Sequence, residues 1–166
     1  MRMLPSSVLF AMIVIGGAVA VFANALYPLA KAREAKYRLA SDARTILLPE
    51  VKRNADLGLS MQGSLAEGKL ILPLQKFDVT AWETISKGGL LLGLEPAEIV
   101  NFLHVYRLAY EANDLCVQIV ASTLGVNAAL QNADQTRQLY IEKLRGTLNE
   151  LQAAFHELDR VLPQKS

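Results

Sequence analysis

A gap in the charges constrains this chain most: between Arg2 and Lys31 stand 28 residues without Asp, Glu, Lys or Arg. From Val8 to Leu29 they read VLFAMIVIGGAVAVFANALYPL. At ~1.5 Å of rise per residue, about 20 helical residues cross the ~30 Å hydrocarbon layer of a bilayer, so this segment is long enough to span with some tilt. A core helix of a water-soluble domain has no need of so long an uncharged run. Tyr27 lies near the charged end, where an amphipathic ring suits the interface. The expectation is a single-pass chain in which residues 1–30 are a transmembrane anchor, residues 31–166 form a domain, and the lipid bilayer is the first partner.

Charge sets the orientation. After the apolar run come Lys31, Arg33, Lys36, Arg38 and Arg44, offset only by Glu34 and Asp42, whereas the other flank has Arg2 and the terminal amine. Lys and Arg favour the cytoplasmic side, which places the N-terminus outside and the domain inside. The rival reading is a secretory signal: Arg2 as a basic start, Val8 to Phe22 as the apolar region, and Ala23-Asn24-Ala25 as a cleavage site, which would free a helical domain into the periplasm. Against cleavage, the apolar run continues past Ala25, Pro28 stands at the third position beyond it, and the basic cluster reads as a stop-transfer signal. Within the span, Gly16, Gly17 and Ala20 form a small-residue face on which a second membrane helix can pack closely.

The rest of the chain balances its charges, with 16 Lys+Arg (17 less Arg2) against 16 Asp+Glu. Such a domain has no electrostatic footprint for nucleic acid, whose phosphates supply most of the affinity. One cysteine, Cys116, cannot form an internal disulfide; in the apolar run Cys116 to Val120 it reads as a small buried hydrophobe.

Apolar periodicity is helical throughout. Leu29, Ala32, Leu39, Ala43, Ile46, Leu47 and Val51 recur at three- and four-residue steps, a pattern that fades through Gly58, Gly63 and Gly68, with Pro28 and Pro49 as kinks or junctions. Lys69 to Lys76 reads as an extended connector over the core. Thr80 and Glu83 fit a capping box for a short helix that stops at Gly88-Gly89, and Leu90 to Leu94 is an apolar turn. Glu95-Pro96 opens a long helix running to about Leu130. Its expected seam is Ile99, Leu103, Tyr106, Tyr110, Asn113, Val117, Val120 and Leu124, spaced 4, 3, 4, 3, 4, 3, 4. A last helix begins near Asn132, with a seam of Tyr140, Leu144, Leu151, Phe155, Leu158 and Leu162, and ends at Pro163. The fold class is therefore all-α: an N-terminal transmembrane helix followed by an antiparallel three- to four-helix bundle.

No catalytic, cofactor-binding or metal-binding constellation stands out. His104 and His156 lie on different helices outside any paired metal motif, and no serine stands in a nucleophile elbow. Gly88-Gly89 and Gly16-Gly17 lack the wider spacing and strand context of a phosphate loop. Asn113 interrupts the apolar stripe between Tyr110 and Val117; a polar group there needs a hydrogen bond and can fix register. Tyr106, Tyr110 and Asn113 share a face that could alternatively line a small-ligand site. Trp82, the sole tryptophan, should lock the short helix onto the bundle.

The segment Phe77 to Glu83, FDVTAWE, followed by Gly88-Gly89-Leu90 and then Tyr106 to Asn113, resembles a loose group of uncharacterised bacterial proteins. Those look like single-pass membrane proteins with a helical domain carrying an F-x-T-x-A-W-like segment, a Gly-Leu turn and a long helix bearing Tyr and Asn. Here Val79-Thr80-Ala81-Trp82 keeps the Thr and the Ala-Trp, while Phe77 stands three residues before the Thr where the group has two. The likeness covers about half the chain and implies a fold; it brings no activity. With the anchor and its basic flank, the location expected is a bacterial inner membrane. The function expected is a membrane-anchored interaction, scaffold or accessory module, not an enzyme and without cofactor, with a protein partner or a second copy. The alternative is a ligand-sensing helical bundle.

Overall fold

The computed structural model describes residues 6–69, 75–124 and 133–162, with the side chains of 6–23, 25 and 133 outside that description. Its first element, α1, is a helix of 61 residues, Ser6–Ala66, about 90 Å long. It runs unbroken through Pro28 and Pro49, where kinks or junctions were expected, and through Gly58 and Gly63, where the pattern was expected to fade. Pro49 is exposed, and so is Thr45, whose carbonyl the proline leaves without an amide donor. Beyond the bundle the helix is stiffened by side chains four apart: Arg38 with Glu34, and the Arg33 guanidinium over the Tyr37 ring.

The buried stripe of α1 is Ala40, Ala43, Leu47, Glu50, Asn54, Gly58, Met61 and Leu65, spaced 3, 4, 3, 4, 4, 3, 4. The expected stripe is corrected at Leu29, Ala32, Leu39 and Ile46, which are exposed, and holds at Ala43, Leu47 and Val51, which are buried. Its continuation was hidden because the next three members are polar or glycine. No helix among the described residues is long and apolar enough to cross a membrane. Most side chains of the expected span, 8–29, lie outside those residues, as do all those of the small-residue face Gly16, Gly17 and Ala20.

Residues 75–79 are irregular and lead into α2, Thr80–Gly88. The expected capping box at Thr80 and Glu83 is absent: Val79 holds the cap position with no side-chain bond. Carboxylates from elsewhere replace it, Asp78 accepting from the Thr80 amide (3.1 Å) and Glu50 of α1 from the Ala81 amide (2.8 Å). α2 ends as expected, on Gly89 in the left-handed region at φ 72°. A 3-10 turn, Leu90–Gly93, follows, and α3, Pro96–Thr123, starts on a capping box in which Glu98 accepts from the Glu95 amide (2.9 Å).

After α3 the chain returns as α4, Ala133–Val161, and these two helices share the most extensive contact of the fold. The buried line of α3 is Phe102, Val105, Ala109, Ala112, Cys116 and Ile119, a strict 3-4 alternation, facing Leu144, Leu148, Leu151, Phe155 and Leu158 of α4. The α4 seam matches expectation with Leu148 added; the α3 seam needs correction. Leu103, Tyr110, Val117 and Leu124 are exposed, because α3 carries two apolar lines and the bundle covers only one. Each fully buried side chain of this kind is worth ~1.5–3 kcal/mol. Gln62 meets Asn149 and the Arg145 guanidinium donates to the Leu65 carbonyl, so α4 runs antiparallel to α1, while Arg44 beside Glu98 makes α1 and α3 codirectional. The described domain is thus an all-α bundle of three long helices, with α2 and the 3-10 turn against α1.

Candidate functional site

Where α1, α2 and α3 meet, the apolar core gives way to amides and carboxylates. Asn54, 2% exposed on α1, closes a two-bond ring with the backbone of one residue: its Nδ2 donates to the Asp78 carbonyl (2.6 Å) and its Oδ1 accepts from the Asp78 amide (2.9 Å). Asn113 of α3 does the same to the preceding residue, with Oδ1 accepting from the Phe77 amide (2.8 Å) and Nδ2 donating to the Phe77 carbonyl (2.9 Å). Two side-chain amides on two helices thereby satisfy both backbone groups of two successive residues, as a neighbouring strand would. The Phe77 ring is buried, and Gly58 faces its edge.

Asp78 anchors the same segment from its side chain. Besides capping Thr80 it meets Arg53 at 3.3 Å, and the Thr80 amide, first among the causes, holds its carboxyl below the ordinary range. Trp82 stacks on Tyr106, ring centres 5.1 Å apart and planes at 19°. Tyr106 is 1% exposed, and burial, followed by the neighbouring Glu50 carboxylate, pushes its hydroxyl well above the usual phenol range. Among the described residues, the Tyr106 hydroxyl and Glu50 Oε1 are the two buried side-chain polar atoms without a hydrogen bond. Nearer the stem, Glu98, itself buried, receives Arg44 in a two-pronged pair at 2.8 and 2.9 Å, and Lys36 meets Glu95 at 2.9 Å.

The residues expected to form a ligand face do not share an open one. Tyr106 is enclosed, Asn113 spends its amide on Phe77, and Tyr110 stands at the surface donating its hydroxyl to Glu83 (2.8 Å). Asn113 does satisfy its polar group on a neighbouring segment, and Trp82 does fasten α2 to the bundle. His104 and His156 are exposed on separate helices, and Cys116 is buried, which pushes its thiol up to about 11. Among the described residues no group of three or more His, Cys, Asp or Glu could hold a metal ion.

Sequence reasoning missed Glu50, Asn54, Asp78 and the Arg44–Glu98 pair. A signal existed for two of them: Glu50 and Asn54 stand where the 3-4 rhythm of Ala40, Ala43 and Leu47 continues toward Met61 and Leu65. The cluster's chemistry is that of a clamp that fixes how α2 and its connector lie on two long helices. No family model, curated protein or solved structure matches this chain.

Proposed function

We propose that the chain is a membrane-tethered interaction or scaffold module of a bacterial inner membrane, with no catalytic activity, its N-terminus outside and its bundle in the cytoplasm. One observation carries the reading. α1 begins at Ser6, and among the described residues its first ion pair with the bundle is Lys36 to Glu95, about 30 residues or roughly 45 Å of helix further on. That length suits a hydrocarbon layer with its interfaces, and the uncharged run from 3 to 30 falls on it. Leu26, Tyr27 and Leu29, at 58, 69 and 67% exposure, have no protein cover. Tethering restricts the bundle to a plane and raises its effective concentration near partners there. The test is extraction and topology: the full chain should stay with membranes through an alkaline carbonate wash, and alkaline phosphatase fused after Ser166 should be inactive. Release into the wash, or an active fusion, would overturn the reading.

A further inference from the structure

The outer line of α3 is a second seam without a partner. Leu103, Tyr110, Val117 and Leu124 recur every seven residues at 54, 39, 47 and 69% exposure, a stripe of about 30 Å along one surface line. Arg107 and Asp114 fall between them, completing the 3-4 rhythm on that face. Both are exposed, and neither has an ion-pair partner among the described residues; the Arg107 guanidinium meets only His104, at 3.5 Å. We infer that this face is a self-association surface on which α3 of a second copy docks antiparallel.

The argument is one of register. A twofold axis crossing α3 near Tyr110, midway between 107 and 114, sets Arg107 of each copy beside Asp114 of the other and brings Leu103, Tyr110 and Val117 of the two copies together, with Leu124 outside the overlap. Parallel docking sets Arg107 on Arg107 and Asp114 on Asp114, two like-charge contacts inside an apolar seam. The stripe is therefore complementary to itself in one direction only. Tyr110, held through its hydroxyl by Glu83, presents its ring beside the axis. Because α1 and α3 are codirectional, the stems of such a pair leave at opposite ends, so two copies held in one flat bilayer do not pair this way. The pair joins copies on facing bilayers and does not draw on the in-plane concentration that tethering gives. This inference rests on the interaction reading above and names its partner.

The full chain in mild detergent tests it. Tyr110→Cys should crosslink to itself through a short thiol reagent, and Leu124→Cys should not; buried Cys116 stays silent in both. Added to Tyr110→Cys, Arg107→Asp or Asp114→Arg should each lower the pairing constant about tenfold, and the double exchange should restore it. All these positions are exposed, so folding is kept. Crosslinking along the whole stripe would show parallel pairing, and none at Tyr110→Cys would show no pairing there; either overturns the proposal. Reconstituted vesicles should cluster, and failure to do so would remove the facing-bilayer arrangement. Protein that washes from membranes yet crosslinks ends the tethering reading alone, whereas membrane-bound protein that does not crosslink ends this one alone.

Discussion

Two contacts of the bundle are made of different material. α3 meets α4 through Phe102, Val105, Ile119, Leu144 and Leu151, an apolar seam with a regular step. α1 meets the α2 segment through Asn54 and Glu50, whose partners are backbone groups. An apolar seam contributes in proportion to area and tolerates sliding; a clamp of directed hydrogen bonds contributes little net energy but accepts one geometry. The hairpin therefore supplies stability and the clamp supplies orientation.

Substitutions can break that division. The largest effect is expected at Phe102, fully buried in the hairpin: Phe102→Ala should cost ~4 kcal/mol and shift the far-ultraviolet dichroism and Trp82 fluorescence transitions together in urea. Asn113→Ala should cost less, ~2 kcal/mol, because the Phe77 amide and carbonyl lose their partners. It should also separate the probes: Trp82 fluorescence, which reports α2 on Tyr106, should change at lower urea than helix content. Coincident transitions would mean that clamp and hairpin are one unit.

Acid sharpens the comparison. Burial alone would raise the Glu98 carboxyl, but the Arg44 guanidinium and the Glu95 amide outweigh it and hold it below its ordinary value. A carboxyl depressed by folding contributes fully above its unfolded value of about 4.3, and the contribution is lost as pH falls through the lower folded value. Stability measured between pH 6 and 3 should thus fall less steeply in Glu98→Gln than in the parent chain. Asp78, depressed by the Thr80 amide, adds to the slope of both. The smallest effect is expected at Thr80→Ala, within about 0.5 kcal/mol, since no cap bond is lost, whereas a working N-cap would cost ~1 kcal/mol.

How much could be read beforehand follows the same division. The helices, the Gly89 stop, the Glu95-Pro96 start and the α4 seam all follow from period and local backbone preference, which act over a few residues. The α3 face did not, because Leu103, Tyr110 and Val117 repeat as regularly as Phe102, Ala109 and Cys116, and only tertiary packing chooses between the two lines. The clamp was half legible: Asn113 stood out as a polar break, but its partner is the backbone of Phe77, and no side-chain pattern records a peptide group. Asn54 and Glu50 did not stand out because their partners lie 24 and 31 residues away in the chain.

Gly93 marks where the stem parts from the bundle. It is buried against α1 so closely that a Cβ there would overlap the Ala40 nitrogen and the Leu39 carbonyl carbon, main chain on main chain. Such a contact makes a fulcrum. From Ala40 back to Ser6 the helix is a lever arm of about 50 Å, so a tilt of only about 5° at the pivot would swing its far end by ~4 Å. The attitude of the whole domain toward whatever grips that arm is thus governed by the absence of one methyl group.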